Sequence, residues 1–210
     1  VFPVLICALV AGVAAWFLTG FMLRCATSDA PILRRWLHVP VAAVLGGIAG
    51  LAHSWAEMVV FVVLAVASGL LTVIDLAEER LPDAIVLPLI GLTAVLLTLA
   101  AWTTGNWGAL LRAGIAALVL FTLYFVMMVF SPDLGFGDVK LAAVVGAFCG
   151  WFGWGAVLLG FGAAWASFAI TGMVLLATRR RDRRGSLAFG PFLILGSVLG
   201  VFWAASLLTW

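Results

Sequence analysis

Charge is scarce in this chain. Lys, Arg, Asp and Glu make up 10% of its residues, where an ordinary soluble domain is about a quarter charged. Hydrophobic residues make up 66% and the mean hydropathy is +1.27. No polar stretch is long enough to fold by itself, which excludes a separate soluble domain. The formal net charge of +2 is too small to imply a nucleic-acid surface. Paired cysteines are also missing: Cys7, Cys25 and Cys149 form no CxxC, so neither a tetrahedral zinc set nor any other metal site is expected. What remains is an all-α fold, a polytopic integral membrane helix bundle forming a single membrane-embedded domain over 1–210.

The apolar runs can be counted against a hydrocarbon core of about 30 Å, which takes about 20 helical residues to cross. Candidate crossings lie at 1–23, 33–55, 58–74, 84–102 and 107–130. The first has no basic residue before it and runs directly into Arg24, which predicts a retained helix rather than a cleaved signal. The uncharged stretch 141–178 is too long for one crossing, and GWFGWG at 150–155 is its natural break. Dividing it there gives a short sixth helix and a full seventh, with 187–210 as the eighth. About eight crossings are expected, or seven if the short helix does not cross.

The basic residues support eight. Arg24, Arg34, Arg35, Arg80, Lys140 and the RRRDRR run at 179–184 then share one face, which the positive-inside rule makes cytoplasmic. Arg112 is the exception, expected to snorkel from the outer end of its helix. Trp55, Trp102, Trp107, Trp151, Trp154 and Trp210 fall at outer boundaries, where interfacial aromatics belong.

Acidic residues gather at the cytoplasmic ends of the third to sixth crossings: Asp75, Glu78, Glu79, Asp83, Asp133 and Asp138. Taken singly, each reads as a solvated loop charge. Asp75 and Asp138 differ because each abuts an apolar helix directly, Asp75 after TVI and Asp138 just before KLAAVVGAF. Gly135 and Gly137 allow a close backbone approach or a positive φ beside Asp138. Two carboxylates brought together cannot both ionise, so one keeps a proton while the other acts as base on a water between them. Such a pair titrates as a unit and hydrolyses a peptide bond without metal or covalent intermediate.

These residues carry a resemblance. GFGDVKL (135–141) resembles the GxGD motif of the type IV prepilin peptidases, and IDLAEERLPDAIVLPLIGL (74–92) is similar to their second signature, an Asp followed after six residues by a Pro-Asp or Pro-Asn pair and an apolar helix. LAFGPFLILG (187–196) is similar to the Phe-Gly-Pro-Phe segment that opens their last helix. Three blocks in order and spacing place a prepilin-peptidase-like catalytic core at about 65–200. The resemblance implies a membrane aspartyl endopeptidase that removes the basic leader of a prepilin or pseudopilin at the cytoplasmic face of a prokaryotic plasma membrane. It carries the catalytic pair onto Asp75 and Asp138. Pro82, Asp83, Gly135, Gly137, Lys140, Phe189, Gly190 and Pro191 match the signatures as supporting residues.

Larger members of that family carry two CxxC pairs in a cytoplasmic region and methylate the new amino terminus with S-adenosylmethionine. Here the loop after the first crossing, RCATSDAPILRR, is short and CxxC is absent, so cleavage without methylation, and no cofactor, is expected. A bifunctional peptidase and N-methyltransferase is the alternative. A proton- or cation-coupled transporter fits less well, because its acids tend to lie at midplane within an internal repeat. The expected partners are the substrate and the lipid bilayer, with no nucleic acid. His38 and His53 read as helix-interface residues, and the small-residue patterns read as close helix packing.

Overall fold

The computed structural model describes residues 2–131, 134–178 and 187–207 of the chain. Asp133, the RRRDRR run, and Trp210 lie outside the described residues. Among the described residues every regular element is a helix. In order these are α1 (Phe2–Phe17), α2 (Thr19–Cys25), a 3-10 turn (Pro31–Arg34), α3 (His38–Ala49), α4 (Trp55–Glu78), α5 (Asp83–Thr104), α6 (Trp107–Phe130), α7 (Phe136–Phe152), α8 (Trp154–Ala177) and α9 (Gly190–Leu207). By length and composition α4, α5, α6 and α8 can each cross a membrane, and α1 with α2 forms a bent fifth span. The chain is thus a multi-pass helical membrane protein. It divides into two compact units, 1–107 and 108–210.

In the first unit the expected first crossing is broken, with a 52° bend between α1 and α2. Thr19 explains it locally. Its hydroxyl donates to the Trp16 carbonyl at 2.6 Å and meets His38 Nε2 at 2.9 Å, so a side chain occupies a backbone acceptor at the break. His38 is fully buried, as an interface residue should be. The second crossing is shorter than its apolar run, because its start folds into the 3-10 turn and the chain leaves the helix after Ala49. Twelve residues span about 18 Å, well under the hydrocarbon thickness. Pro40 sits in the first turn of α3, where a missing N–H is tolerated.

Small residues bring these helices together. A Cβ on Gly46 would come within 2.7 Å of the Cys7 carbonyl oxygen, and one on Gly69 within 2.6 Å of the His38 carbonyl oxygen. Ala11, Ala15, Ala42, Ala65 and Val66 fill the core where α1, α3 and α4 meet. Glu57 closes a capping box with Ser54 at the start of α4.

The second unit packs by the same rule. A Cβ on Gly146 would lie 2.6 Å from the Ala116 carbonyl oxygen, fixing α7 against α6. On α9, one on Gly196 would lie 2.6 Å from the Gly160 carbonyl oxygen of α8. Gly153, at φ 146, is the break between α7 and α8 that GWFGWG predicts. Arg112 does not snorkel. Its Nε and one terminal nitrogen donate to the carbonyls of Gly150 and Trp151, both at 2.7 Å, capping the last turn of α7. Trp151 is buried rather than interfacial, whereas Trp55, Trp102, Trp107 and Trp154 are exposed as the aromatic-belt reading expects.

Candidate active site

Asp75 lies in the last turn of α4 and is 2% exposed. Leu71 and Ile74 beside it are buried completely. The helix ends at Glu79, which takes the left-handed conformation at φ 52 and returns its N–H to the Asp75 carbonyl at 2.7 Å. One turn on from Asp75, Glu78 has a side chain only 3% exposed and is no solvated loop charge. Its Oε1 accepts from the backbone N–H groups of Thr27 (2.6 Å) and Ser28 (2.7 Å), and its Oε2 from the Thr27 hydroxyl (2.8 Å). Arg80 adds a cation 3.9 Å from the same carboxylate. The turn that carries Asp75 is therefore tied to the segment following α2. The signal in the sequence was the i, i+3 spacing of Asp75 and Glu78, which puts both on one helix face.

Pro82 caps α5. Its carbonyl accepts from Ile85 at 3.0 Å and Val86 at 3.1 Å, and its ring fixes the φ of the entering chain. Asp83 follows in the first turn, where a negative charge complements the helix dipole. The Pro-Asp pair thus starts a helix a few residues after Asp75, which accounts for both residues in structural terms.

Asp138 belongs to the second unit, in the first turn of α7. Its Oδ2 accepts from the Gly135 N–H at 3.2 Å, closing the helix start. Its Oδ1 is buried and has no hydrogen-bond partner among the described residues. Gly135 is extended at φ −75 and ψ 149, and neither it nor Gly137 has positive φ. Nor does a close approach require Gly135: a Cβ there would stand at ordinary contact distance, 3.4 Å, from Asp138 Oδ2. Lys140 places its ammonium 4.5 Å from the centre of the Phe136 ring, a cation–π contact.

The Phe-Gly-Pro block stands at the start of α9. Phe189 ends the incoming segment, its carbonyl accepting from Phe192 and Leu193, and Gly190 and Pro191 open the helix. The buried Phe189 ring lies 5.0 Å from Trp165, 5.2 Å from Phe168 and 5.8 Å from Tyr124, centroid to centroid. Sequence reasoning passed over Tyr124 and Trp165. Tyr124 is the single tyrosine of the chain, lies within the apolar helix α6 and is 0% exposed. A lone hydroxyl in an otherwise apolar span was the available signal.

Among the described residues no group of three or more His, Cys, Asp or Glu side chains could hold a metal ion. Cys7 and Cys149 are buried free thiols and Cys25 is half-buried.

Comparison with known proteins gives this arrangement a context. A prepilin leader peptidase/N-methyltransferase of Legionella pneumophila is 30% identical over 193 residues, covering 89% of this chain and 65% of the relative. One of Aeromonas hydrophila is 30% identical over 192 residues, covering 89% and 64%. One of Escherichia coli (strain K12) is 33% identical over 138 residues, covering 64% and 59%. The chain thus spans just under two thirds of the length of the first two curated relatives. No solved structure matches it. The match to the type IV leader peptidase family runs over 62–209, and with it α4 carrying Asp75, α7 carrying Asp138 and the Phe189 block that opens α9, so the chain belongs to that family.

Proposed function

We propose that this chain is a membrane aspartyl endopeptidase that removes the basic leader of a type IV prepilin-like protein at the cytoplasmic face of a prokaryotic plasma membrane, with Asp75 and Asp138 as its acid pair. The observation that carries the reading is the state of the two carboxyl groups. Each stands at the end of an apolar helix inside the family-matched segment; Asp75 is buried, and Asp138 keeps an oxygen without a hydrogen-bond partner among the described residues. Isolated loop charges would reach water instead. In the proposed reaction one carboxylate takes a proton from water as its oxygen bonds to the scissile carbonyl carbon. The other, protonated, donates to the carbonyl oxygen. Collapse of the tetrahedral intermediate breaks the C–N bond, and a proton passes to the leaving amine.

Asn replaces either Asp in shape without an ionisable proton. Asp75→Asn and Asp138→Asn, each co-expressed with a prepilin-like substrate, are expected to leave the precursor uncut, a loss of at least about 10³-fold. Normal processing by either variant at wild-type protein levels excludes that residue from the pair. Orientation has its own test, in a background lacking the native cysteines. A cysteine at Thr104 should react with a membrane-impermeant thiol reagent in intact cells, and one at Ser131 only after lysis. Labelling of Ser131 without lysis reverses the orientation.

A further inference from the structure

Three buried polar atoms of the second unit have no hydrogen-bond partner among the described residues: Asp138 Oδ1, Tyr124 Oη and Trp165 Nε1. Leaving such atoms buried and unpaired opposes folding, most of all where lipid replaces water outside the protein. These three share one neighbourhood. Phe125, next to Tyr124 on α6, meets Phe136 of α7 edge-on at 6.4 Å, which places that turn of α6 beside the first turn of α7 carrying Asp138, and the Tyr124 hydroxyl is hydrogen-bonded to neither Trp165 nor Asp138. The Tyr124 and Trp165 rings lie 6.4 Å apart, Phe161 meets Tyr124 edge-on at 6.0 Å, and Phe189 packs on both rings. The phenol is thereby held in an aromatic nest whose unpaired polar atoms are its own hydroxyl and the Trp165 indole nitrogen.

The unmet capacities are complementary. An indole N–H only donates, a phenol hydroxyl both accepts and donates, and an ionised carboxylate only accepts. In series they form one directed chain, Trp165 N–H to Tyr124 Oη, and Tyr124 O–H to Asp138 Oδ1. The other carboxylate oxygen, Oδ2, already accepts from the Gly135 N–H.

We propose that Tyr124 is the positioning residue of Asp138, donating to its Oδ1 with Trp165 donating to Tyr124 from behind, so that Asp138 enters the reaction ionised and acts as the base. The inference rests on the peptidase reading and deepens it. A carboxylate that accepts a hydrogen bond on each oxygen is held in its charged form, which leaves the proton of the pair on Asp75. Catalytic hydrogen bonds are often long before substrate arrives and tighten in the complex. Seating of the substrate against Asp138 is the event that brings the three groups into line. Phe189 acquires a purpose here, because it supports the two rings on which the chain depends.

The test uses the full chain in proteoliposomes and a synthetic substrate with a basic leader, a Gly and an apolar helix. kcat and KM are measured for the wild type, Tyr124→Phe, Trp165→Phe and Asp138→Asn. Tyr124→Phe keeps the ring and removes only the hydroxyl. It should lower kcat roughly 100-fold with KM within about twofold, while thermal stability stays level or rises, because an unpaired buried hydroxyl has been removed. Trp165→Phe should lower kcat by about tenfold, also at constant KM. A purely structural tyrosine predicts the reverse pattern, wild-type kcat with altered stability, and that result overturns the proposal. If Tyr124→Phe does not accumulate, the Trp165→Phe kcat decides alone, and an unchanged value overturns it. A wild type that fails to cleave, or an Asp138→Asn variant that cleaves normally, fells the peptidase reading and this inference together; cleavage that needs Asp138 but ignores Tyr124 and Trp165 fells only the inference.

Discussion

The end of α4 and the start of α7 each present an acid beside an apolar helix, but they treat polar groups in opposite ways. Around Asp75 the neighbouring carboxylate is saturated, since Glu78 accepts three hydrogen bonds and faces Arg80. Around Asp138 three polar atoms are buried and unpaired among the described residues. Saturation stabilises a turn, whereas unmet capacity destabilises it and persists only where something else uses it. On the proposed reading the first region holds a carboxylate in place and the second engages what arrives.

That contrast can be broken by substitution. The largest effect is expected from Asp75→Asn and Asp138→Asn, because the proposed reaction needs both acids whatever the local packing does. Next comes Glu78→Ala, which strips the partners from two backbone N–H groups and one hydroxyl. It should cost about 2–3 kcal/mol of stability, read as a lowered midpoint of thermal unfolding in detergent. A cost under about 0.5 kcal/mol would remove the clamp from the account. Arg112→Met keeps the stem and deletes the guanidinium that caps α7 at Gly150 and Trp151. About 1–2 kcal/mol should be lost, with protease sensitivity appearing near 150–155. The smallest effect belongs to Gly135→Ala. The backbone there is extended, and the new methyl would meet Asp138 Oδ2 at ordinary contact distance. Cleavage within about threefold of wild type is expected, under 0.7 kcal/mol on the barrier. A loss of 100-fold would mean that the Gly135 side of Asp138 must stay open to substrate.

Much of the fold was legible without coordinates. Each crossing expected from hydropathy has a helix beneath it, and the break in the long uncharged stretch falls at Gly153 as GWFGWG implies. The start of α5 after Pro82 and the placement of Asp138 in the first turn of α7 were likewise readable from Pro, Gly and Asp at helix boundaries. The bend between α1 and α2 was not, because it depends on Thr19 meeting His38, a partner nineteen residues away. The shortness of α3 escaped for a related reason: apolar residues before and after it remain apolar whether or not they are helical.

The sequence by itself determined a many-helix membrane protein with acids at helix ends. Hydropathy is a property of each segment alone, and the backbone in lipid must satisfy itself within a helix. Tertiary structure decided which side chain each polar group meets. Glu78 became a clamp, Arg112 a helix cap, and Tyr124 the buried phenol of an aromatic nest only when the segment after α2 came to α4, α6 to α7, and α8 and the start of α9 to Tyr124. Apolar helices pack through interchangeable small residues, so a one-dimensional pattern leaves their partners open, and the geometry of packing chooses among them.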